Sequence, residues 1–320
     1  LLLLLDVDYR SLTKFDIVST RPLTSEEGNT VLEKLYFEKV AIVGVGLIGG
    51  SLAISMREDK MAGRITGIGR GLPNLEAAKR LGVVDDFTRD VAEGVKDADL
   101  VIVATPVTSI EKVMTLAYKH LKPGAIVTDV GSVKGAIAKV LDALMPEGTF
   151  FVPGHPIAGT EHSGVEAAFL GLFENKRCIL TPTESTDELA LKKVSELWER
   201  VGSEVVIMDA ERHDVILASI SHLPHVIAYA LVNTVAGTDG KNSDALKYSA
   251  GGFKDFTRIA SSSPEMWSDI CALNKDAILD YVESFKKTLD VFSSLIRDDD
   301  FKGLTHEFER AKEARDSLSK

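Results

Sequence analysis

Gly44, Gly46 and Gly49 constrain this chain more than any other feature. They follow residues 40–43, a short apolar run of the kind that forms a strand buried on both faces, and they lead into residues 51–57, which read as a helix. A strand, a glycine turn and a helix in that order begin a βαβ unit. Each glycine has its own physical reason. Gly44 permits the tight turn, Gly46 lets the backbone approach a pyrophosphate, and Gly49 lets helix and strand pack closely. Leu47 and Ile48 stand at the helix start, where free N–H groups and the helix dipole favour an anion. A lone glycine pattern of this spacing is weak, and its alternative is a tight turn with no ligand. The buried-type strand before it and the alternation after it strengthen the cofactor reading.

That alternation continues. Residues 64–68 read as a second strand and 75–81 as a helix closed by Gly82. Residues 100–104 and 125–129 read as third and fourth strands, and 150–152, 178–180 and 204–208 as further ones, with an amphipathic helix over 187–201. The pattern predicts an α/β domain with a parallel sheet over residues 38–208. After Asp209 strand-like runs cease, and helical periodicity over 213–237, 264–295 and 305–317 predicts an all-helical domain over 209–320. Residues 1–37 form an unclassified arm, polar and turn-rich over 20–30. Its five leading leucines are followed at once by Asp6 and Asp8, with no basic segment of a secretory signal.

Bulk properties exclude some function classes. A formal net charge of −11 argues against nonspecific nucleic-acid binding, which needs basic patches. No Cys/His cluster has metal-ligand spacing, so no metal is expected. Cys178 and Cys271 read as buried free thiols, which fits a reducing cytoplasm. No membrane span is expected. The most apolar stretch, 215–235, is interrupted by Ser219, Ser221, His222, His225 and Asn233, and Pro224 is expected to break it.

The end of the second strand bears on the cofactor. NAD binding usually places a carboxylate there for the ribose hydroxyls. This chain reads Thr66-Gly67-Ile68-Gly69-Arg70-Gly71. An arginine at Arg70 can pair with a 2′-phosphate, which favours NADP over NAD. Alternatively Arg70 stacks on adenine or is solvated, and NAD binds.

The stretch from Gly154 to Gly164 holds an imidazole, His155, between a proline and glycines, with Thr160 and Glu161 close by. It reads as too polar and too rich in turn residues for a core element. Parallel sheets bind ligands beyond the C-terminal ends of their strands, which places Ser132 and His155 on one edge. There the Ser132 hydroxyl can fix the tautomer of His155, or Ser132 and Asp129 are simply loop and capping residues. His222 and His225 share a helix face and are either core or site. Lys254 and Arg258, four apart after a glycine pair, are candidates for a carboxylate clamp, or a solvated face neutralised by Asp255. Trp267 is core or a pocket wall.

Taken in order, GVGLIGGSLA from Gly44, TDVGSVKGAI from Thr128, GHPIAGTEHSGV from Gly154, SHLPHVIAYAL from Ser221 and GGFKDFTRIA from Gly251 resemble the prephenate and arogenate dehydrogenases of tyrosine biosynthesis. The resemblance covers roughly residues 38–295. It implies a Rossmann-type domain followed by a helical dimerisation domain, in a cytoplasmic homodimer. It implies oxidative decarboxylation of prephenate to 4-hydroxyphenylpyruvate, with hydride transfer to NAD(P). By the same resemblance His155 accepts the hydroxyl proton, Ser132 orients it, and Arg258 binds the ring carboxylate with Lys254 adding charge. His225 faces the pyruvyl side chain, which favours prephenate over arogenate. Glu161, Thr160 and Trp267 shape the pocket, and Thr105 and Pro106 line the cofactor. The family's acidic residue at strand two is missing here. Two rival readings stand beside this one: a β-hydroxyacid dehydrogenase using Lys254, and a nicotinamide-binding regulator without turnover.

Overall fold

The computed structural model describes residues 35–160, 162–237 and 245–319. The arm expected over 1–37 lies, up to residue 34, outside the described residues.

The first domain runs β1 (Phe37–Val43), α1 (Leu47–Glu58), β2 (Ala62–Ile68), α2 (Leu72–Arg80), β3 (Asp86–Thr88), α3 (Val91–Val95), β4 (Leu100–Val103), α4 (Ile110–Ala117), β5 (Ile126–Asp129), α5 (Gly135–Leu144) and β6 (Phe150–Val152). These six strands form one parallel sheet in the order β3-β2-β1-β4-β5-β6. The chain winds outward in both directions from β1 and β4, so a crevice opens beyond their C-terminal ends, where dinucleotides bind in sheets of this order.

The strand sequences explain the layering. Side chains alternate across a sheet, and here both sets are apolar. Val40, Ile42, Leu100 and Ile102 enter one core with Trp198 and Phe173. Ala41, Val43, Val101 and Val103 enter another, which also takes Ala218, Trp267, Ile270 and Ile278 from the helical part of the chain. The helical domain is thereby fastened to one face of the sheet.

Past Pro153 the chain leaves this sheet. β7 (Gly154–Pro156), β8 (Arg177–Leu180) and β9 (Glu204–Ile207) make a second, three-stranded sheet, with α6 (Glu188–Arg200) between β8 and β9. β7 runs antiparallel to β8, and β8 parallel to β9. The expectation that the Gly154 segment is too polar for a core element is therefore corrected for its first three residues. Gly154, His155 and Pro156 are all buried, because pairing with β8 satisfies their backbone while the loop that follows stays at the surface. The edge strand β3 escaped the sequence reading because it is only Asp-Phe-Thr, too short and polar to show periodicity.

The rest is helical: α7 (Ala210–Leu217), a π-helical turn over Ala218–His222, α8 (Leu223–Ala236), α9 (Gly251–Thr257), α10 (Pro264–Leu273), α11 (Lys275–Arg297) and α12 (Phe301–Asp316). Pro224 does not break this array. It falls in the first turn of α8, directly after the widened π turn, where its missing N–H interrupts no regular α-helical bond. The uninterrupted run Ala210–Ala236 is, by length and composition alone, apolar enough to cross a membrane, which corrects the expectation that no stretch qualifies. Within this run lie His213, Asp214, His222 and His225, all of which face other protein groups.

Candidate active site

The glycine turn is a cradle whose space is defined by backbone. Gly44 has φ +100°, in the left-handed region, and a Cβ there would lie 2.4 Å from the Ala104 carbonyl oxygen. A Cβ on Gly49 would lie 2.3 Å from the Gly44 carbonyl, so only glycine lets α1 approach the turn. At Gly46 a Cβ would meet nothing within 4 Å, which leaves open ground before the helix. Gly46 caps α1 with no side-chain hydrogen bond, and no acidic residue stands in the first turn. The first N–H groups of α1 are thus available to an anion. Thr105, just past β4, has a buried hydroxyl without a partner among the described residues. Together these features fit a dinucleotide pyrophosphate. Arg70 lies two residues past the end of β2, exposed and without an ion pair among the described residues.

His155 stands further along the same C-terminal edge, beside β5. Asp129 ends β5, and its carboxylate accepts from the Gly131 N–H at 2.8 Å and the Gly154 N–H at 3.3 Å. Lys134 donates to Asp129 and, at 2.8 Å, to the Gly154 carbonyl. Both side chains of this ion pair are 0% exposed, and the extra hydrogen bonds are what make such burial tolerable. The pair grips the residue before His155 on both sides.

The imidazole is held from a third element. His155 Nδ1 lies 2.8 Å from His213 Nε2, and His213 Nδ1 lies 2.8 Å from Asp214 Oδ1. Asp214 also accepts the backbone N–H groups of Lys134 and Gly135, each at 2.8 Å. Among the described residues His155 Nε2 has no hydrogen-bond partner. Burial holds the His155 imidazole well below its ordinary pKa, and the cation of Lys134, with any proton taken up by His213 or His222, pushes the same way. The ring is therefore neutral near neutrality and able to accept a proton.

A second group of rings forms a wall. Trp267 stacks on His225 with ring centroids 3.6 Å apart and an interplanar angle of 21°, and meets His222 edge-on at 6.0 Å. Asn274 Nδ2 lies 3.2 Å from His222 Nδ1 and donates to the Asp214 carbonyl at 2.8 Å, tying this wall to the His155 group. His225 Nδ1 donates to the Ser221 carbonyl at 2.8 Å. Burial lowers the His225 pKa, and the cation of Arg258 lowers it further, against the pull of that carbonyl. Arg258 itself is exposed and has no acidic partner among the described residues, so Asp255 does not neutralise it.

The other residues singled out in the sequence are placed as follows. Ser132 is half-buried in the β5–α5 turn but makes no hydrogen bond among the described residues; His213 occupies the orienting position on His155 instead. Lys254 is exposed on α9 and pairs with no site residue. Thr160 is also exposed, and its hydroxyl accepts the His162 N–H at 3.2 Å. Pro106 is exposed beyond β4. Glu161 lies outside the described residues. Of the two thiols, Cys178 is buried and Cys271 half-buried, both free. The sequence reading passed over His213, Asp214, Lys134 and Asn274. The available signal was His213-Asp214 at the head of the apolar run Val215-Ile216-Leu217, a polar pair where α7 meets the core.

The buried histidines make stability depend on pH. Burial lowers the pKa values of His155, His213, His222 and His225 in the folded protein, His222 to about 4. Below about pH 6.5 the unfolded chain binds protons that the native state refuses, so stability falls as the pH drops from there toward about 4. His222 alone contributes a loss of about 3 kcal/mol across that window. Urea midpoints are expected to fall steadily from pH 7 to pH 4.5; a flat profile would contradict the burial of these rings.

Comparison with known proteins agrees with this architecture. Residues 52–207 match the prephenate dehydrogenase nucleotide-binding domain, and residues 209–310 match the prephenate dehydrogenase dimerization domain. The chain is 38% identical over 282 residues to the prephenate dehydrogenase of Bacillus subtilis, covering 88% of this chain and 76% of that protein. It is 36% identical over 283 residues to the cyclohexadienyl dehydrogenase of Zymomonas mobilis, covering 88% of this chain and 96% of that one. The crystal structure of the A. aeolicus prephenate dehydrogenase, in complex with hydroxyphenyl propionate and NAD+, superposes with a TM-score of 0.84 at 39% identity, covering 89% of this chain and all of the other. With the glycine cradle, the helical second domain and a neutral buried imidazole in one molecule, both halves matched in order, this chain belongs to the prephenate dehydrogenase family.

Proposed function

We propose that the protein oxidatively decarboxylates prephenate to 4-hydroxyphenylpyruvate and CO2, passing a hydride to NAD(P)+, as a step toward tyrosine. The observation that carries this reading is the His155 imidazole, neutral, buried and held through Nδ1 so that Nε2 is left for a substrate hydroxyl. The nicotinamide, when bound, supplies the hydride acceptor. His155 Nε2 takes the proton from the ring hydroxyl, so that positive charge does not build on the carbon losing hydride. Arg258 holds the ring carboxylate by charge-assisted hydrogen bonds. His225, stacked on Trp267, faces the pyruvyl side chain and favours the keto acid over the amino acid of arogenate. Loss of CO2 restores aromaticity, so the chain needs to supply neither a metal nor a covalent nucleophile. Ser132 remains a residue for the nicotinamide or substrate rather than for His155.

Arg70 supports a preference for NADP, since no carboxylate stands at the end of β2 to bind free ribose hydroxyls. The active protein is a homodimer. The matched dimerization domain and the exposed apolar side chains Leu289, Val291, Ile296 and Phe308 of α11 and α12 support this. A β-hydroxyacid dehydrogenase would need Lys254 as its catalytic group, whereas the buried neutral base here is His155, which supports the prephenate reading.

The test is a matrix of prephenate and arogenate against NAD+ and NADP+. The expected outcome is the highest kcat/KM for prephenate with NADP+, with Arg70→Ala shifting preference toward NAD+. An Arg70→Ala protein with an unchanged cofactor ratio would remove Arg70 from the ribose site. Higher kcat/KM for arogenate would reverse the meaning of His225.

A further inference from the structure

We propose that His213 and Asp214 are positioning residues that act through His155: they fix its tautomer and hold the charge it carries while it keeps the substrate's proton. This rests on the prephenate reading above and assigns a role to a buried pair that the sequence did not single out.

The hydrogen bonds allow one neutral assignment. Both Asp214 oxygens accept backbone N–H groups, from Lys134 and Gly135 at the start of α5, each at 2.8 Å, so the side chain is held as an acceptor. His213 must then donate from Nδ1 to Asp214 Oδ1 at 2.8 Å, which leaves a lone pair on its Nε2. That lone pair lies 2.8 Å from His155 Nδ1, which must carry the hydrogen. The lone pair of His155 is thereby on Nε2. The other arrangement would charge His213 and put a hydrogen on His155 Nε2, where it could not act as a base; burial, which lowers the pKa of both rings, opposes it.

The charges around His155 fit the second half of the proposal. From the β5–α5 turn come Lys134 and Asp129, a mutually neutral pair. From α7 come His213 and Asp214, from the π turn His222, and from β8 the thiol of Cys178. Asp214 is the negative charge left over to balance an imidazolium. The balance of the reaction makes such holding sufficient. The hydroxyl O–H bond breaks and its proton goes to His155 Nε2, while the C–H bond pair leaves as hydride to the oxidised nicotinamide. The bond to CO2 then breaks, its electron pair enters the ring, and the oxygen takes the proton back as a phenol. No proton is released overall, so the buried rings need not pass a proton to solvent.

Two variants and one spectroscopic measurement test this. His213→Gln leaves the Asp214 cap on α5 intact, and Asp214→Asn leaves both rings. Each is expected to lower kcat by roughly 10²–10⁴-fold, with KM for prephenate and cofactor affinity within about threefold of wild type. The solvent deuterium isotope effect on kcat is expected to rise as proton transfer becomes limiting. Independently of turnover, ¹⁵N ring shifts of His155 are expected to show hydrogen on Nδ1 and a lone pair on Nε2. The opposite tautomer overturns the proposal, as does near-wild-type kcat in both variants. Loss of kcat together with cofactor affinity in both variants makes the residues structural and also overturns it. If wild type fails on prephenate with either cofactor, the functional reading fails; if wild type is active and the variants are unaffected, only the relay fails.

Discussion

The His155→Asn protein is expected to turn prephenate over roughly 10²–10⁴-fold more slowly than wild type while binding cofactor normally. The size of the effect follows from what asparagine keeps and loses. Its amide can still donate toward His213, so the buried acceptor there is not orphaned. The backbone on either side is held by β8 and by the grip of Asp129 and Lys134 on Gly154, which do not depend on the ring. What disappears is the buried base whose Nε2 has no hydrogen-bond partner among the described residues. The cofactor cradle, formed by Gly44, Gly46 and Gly49 at the end of β1, belongs to a different turn and is untouched. Steady-state kinetics paired with a cofactor-binding titration separates the two effects. Wild-type kcat in the variant would show that the proton leaves by another route.

Arg258→Gln is expected to act on binding instead. A guanidinium beside a half-buried ring pocket, with no ion pair among the described residues, has its donors available for a carboxylate. Losing a hydrogen bond to a charged group costs about 1.5–3 kcal/mol, so KM for prephenate should rise roughly 10- to 150-fold, with kcat changed far less. Arg258 also depresses His225, whose pKa should climb back toward its ordinary value in the variant. An unchanged KM would make Arg258 surface charge. A parallel loss of kcat would place it in the transition state rather than in a clamp.

The legible parts of this molecule are those where chemistry is local in sequence. Gly44 to Gly49 could be read because a tight turn, a close approach and a helix start all fall within six residues. The buried strands were legible because β4 and the second half of β1 are apolar on both faces. Helical periodicity after Asp209 marked the change of architecture. The failures share one cause, which is tertiary pairing. Gly154-His155-Pro156 has no strand character of its own and becomes β7 only because β8 lies beside it. His155 and His213 meet across 58 residues of sequence, and nothing local to either announces the other. Proximity on one sheet edge made Ser132 a reasonable partner for His155, but the partner found at Nδ1 is His213. Lys134 looked like part of a loop motif; its complete burial against Asp129 is a property of the folded β5–α5 turn alone. Its role is to fix the backbone from which His155 projects.

The central claim is that one site removes hydride and CO2 from the same molecule with His155 as the base. Its most direct test measures both products in one vessel, with purified protein, prephenate and each oxidised nicotinamide cofactor in turn. The account predicts reduced nicotinamide and CO2 in equal amounts with at least one cofactor, and the loss of both signals together in His155→Asn. No reduction with either cofactor, or reduction without an equivalent of CO2, would contradict it.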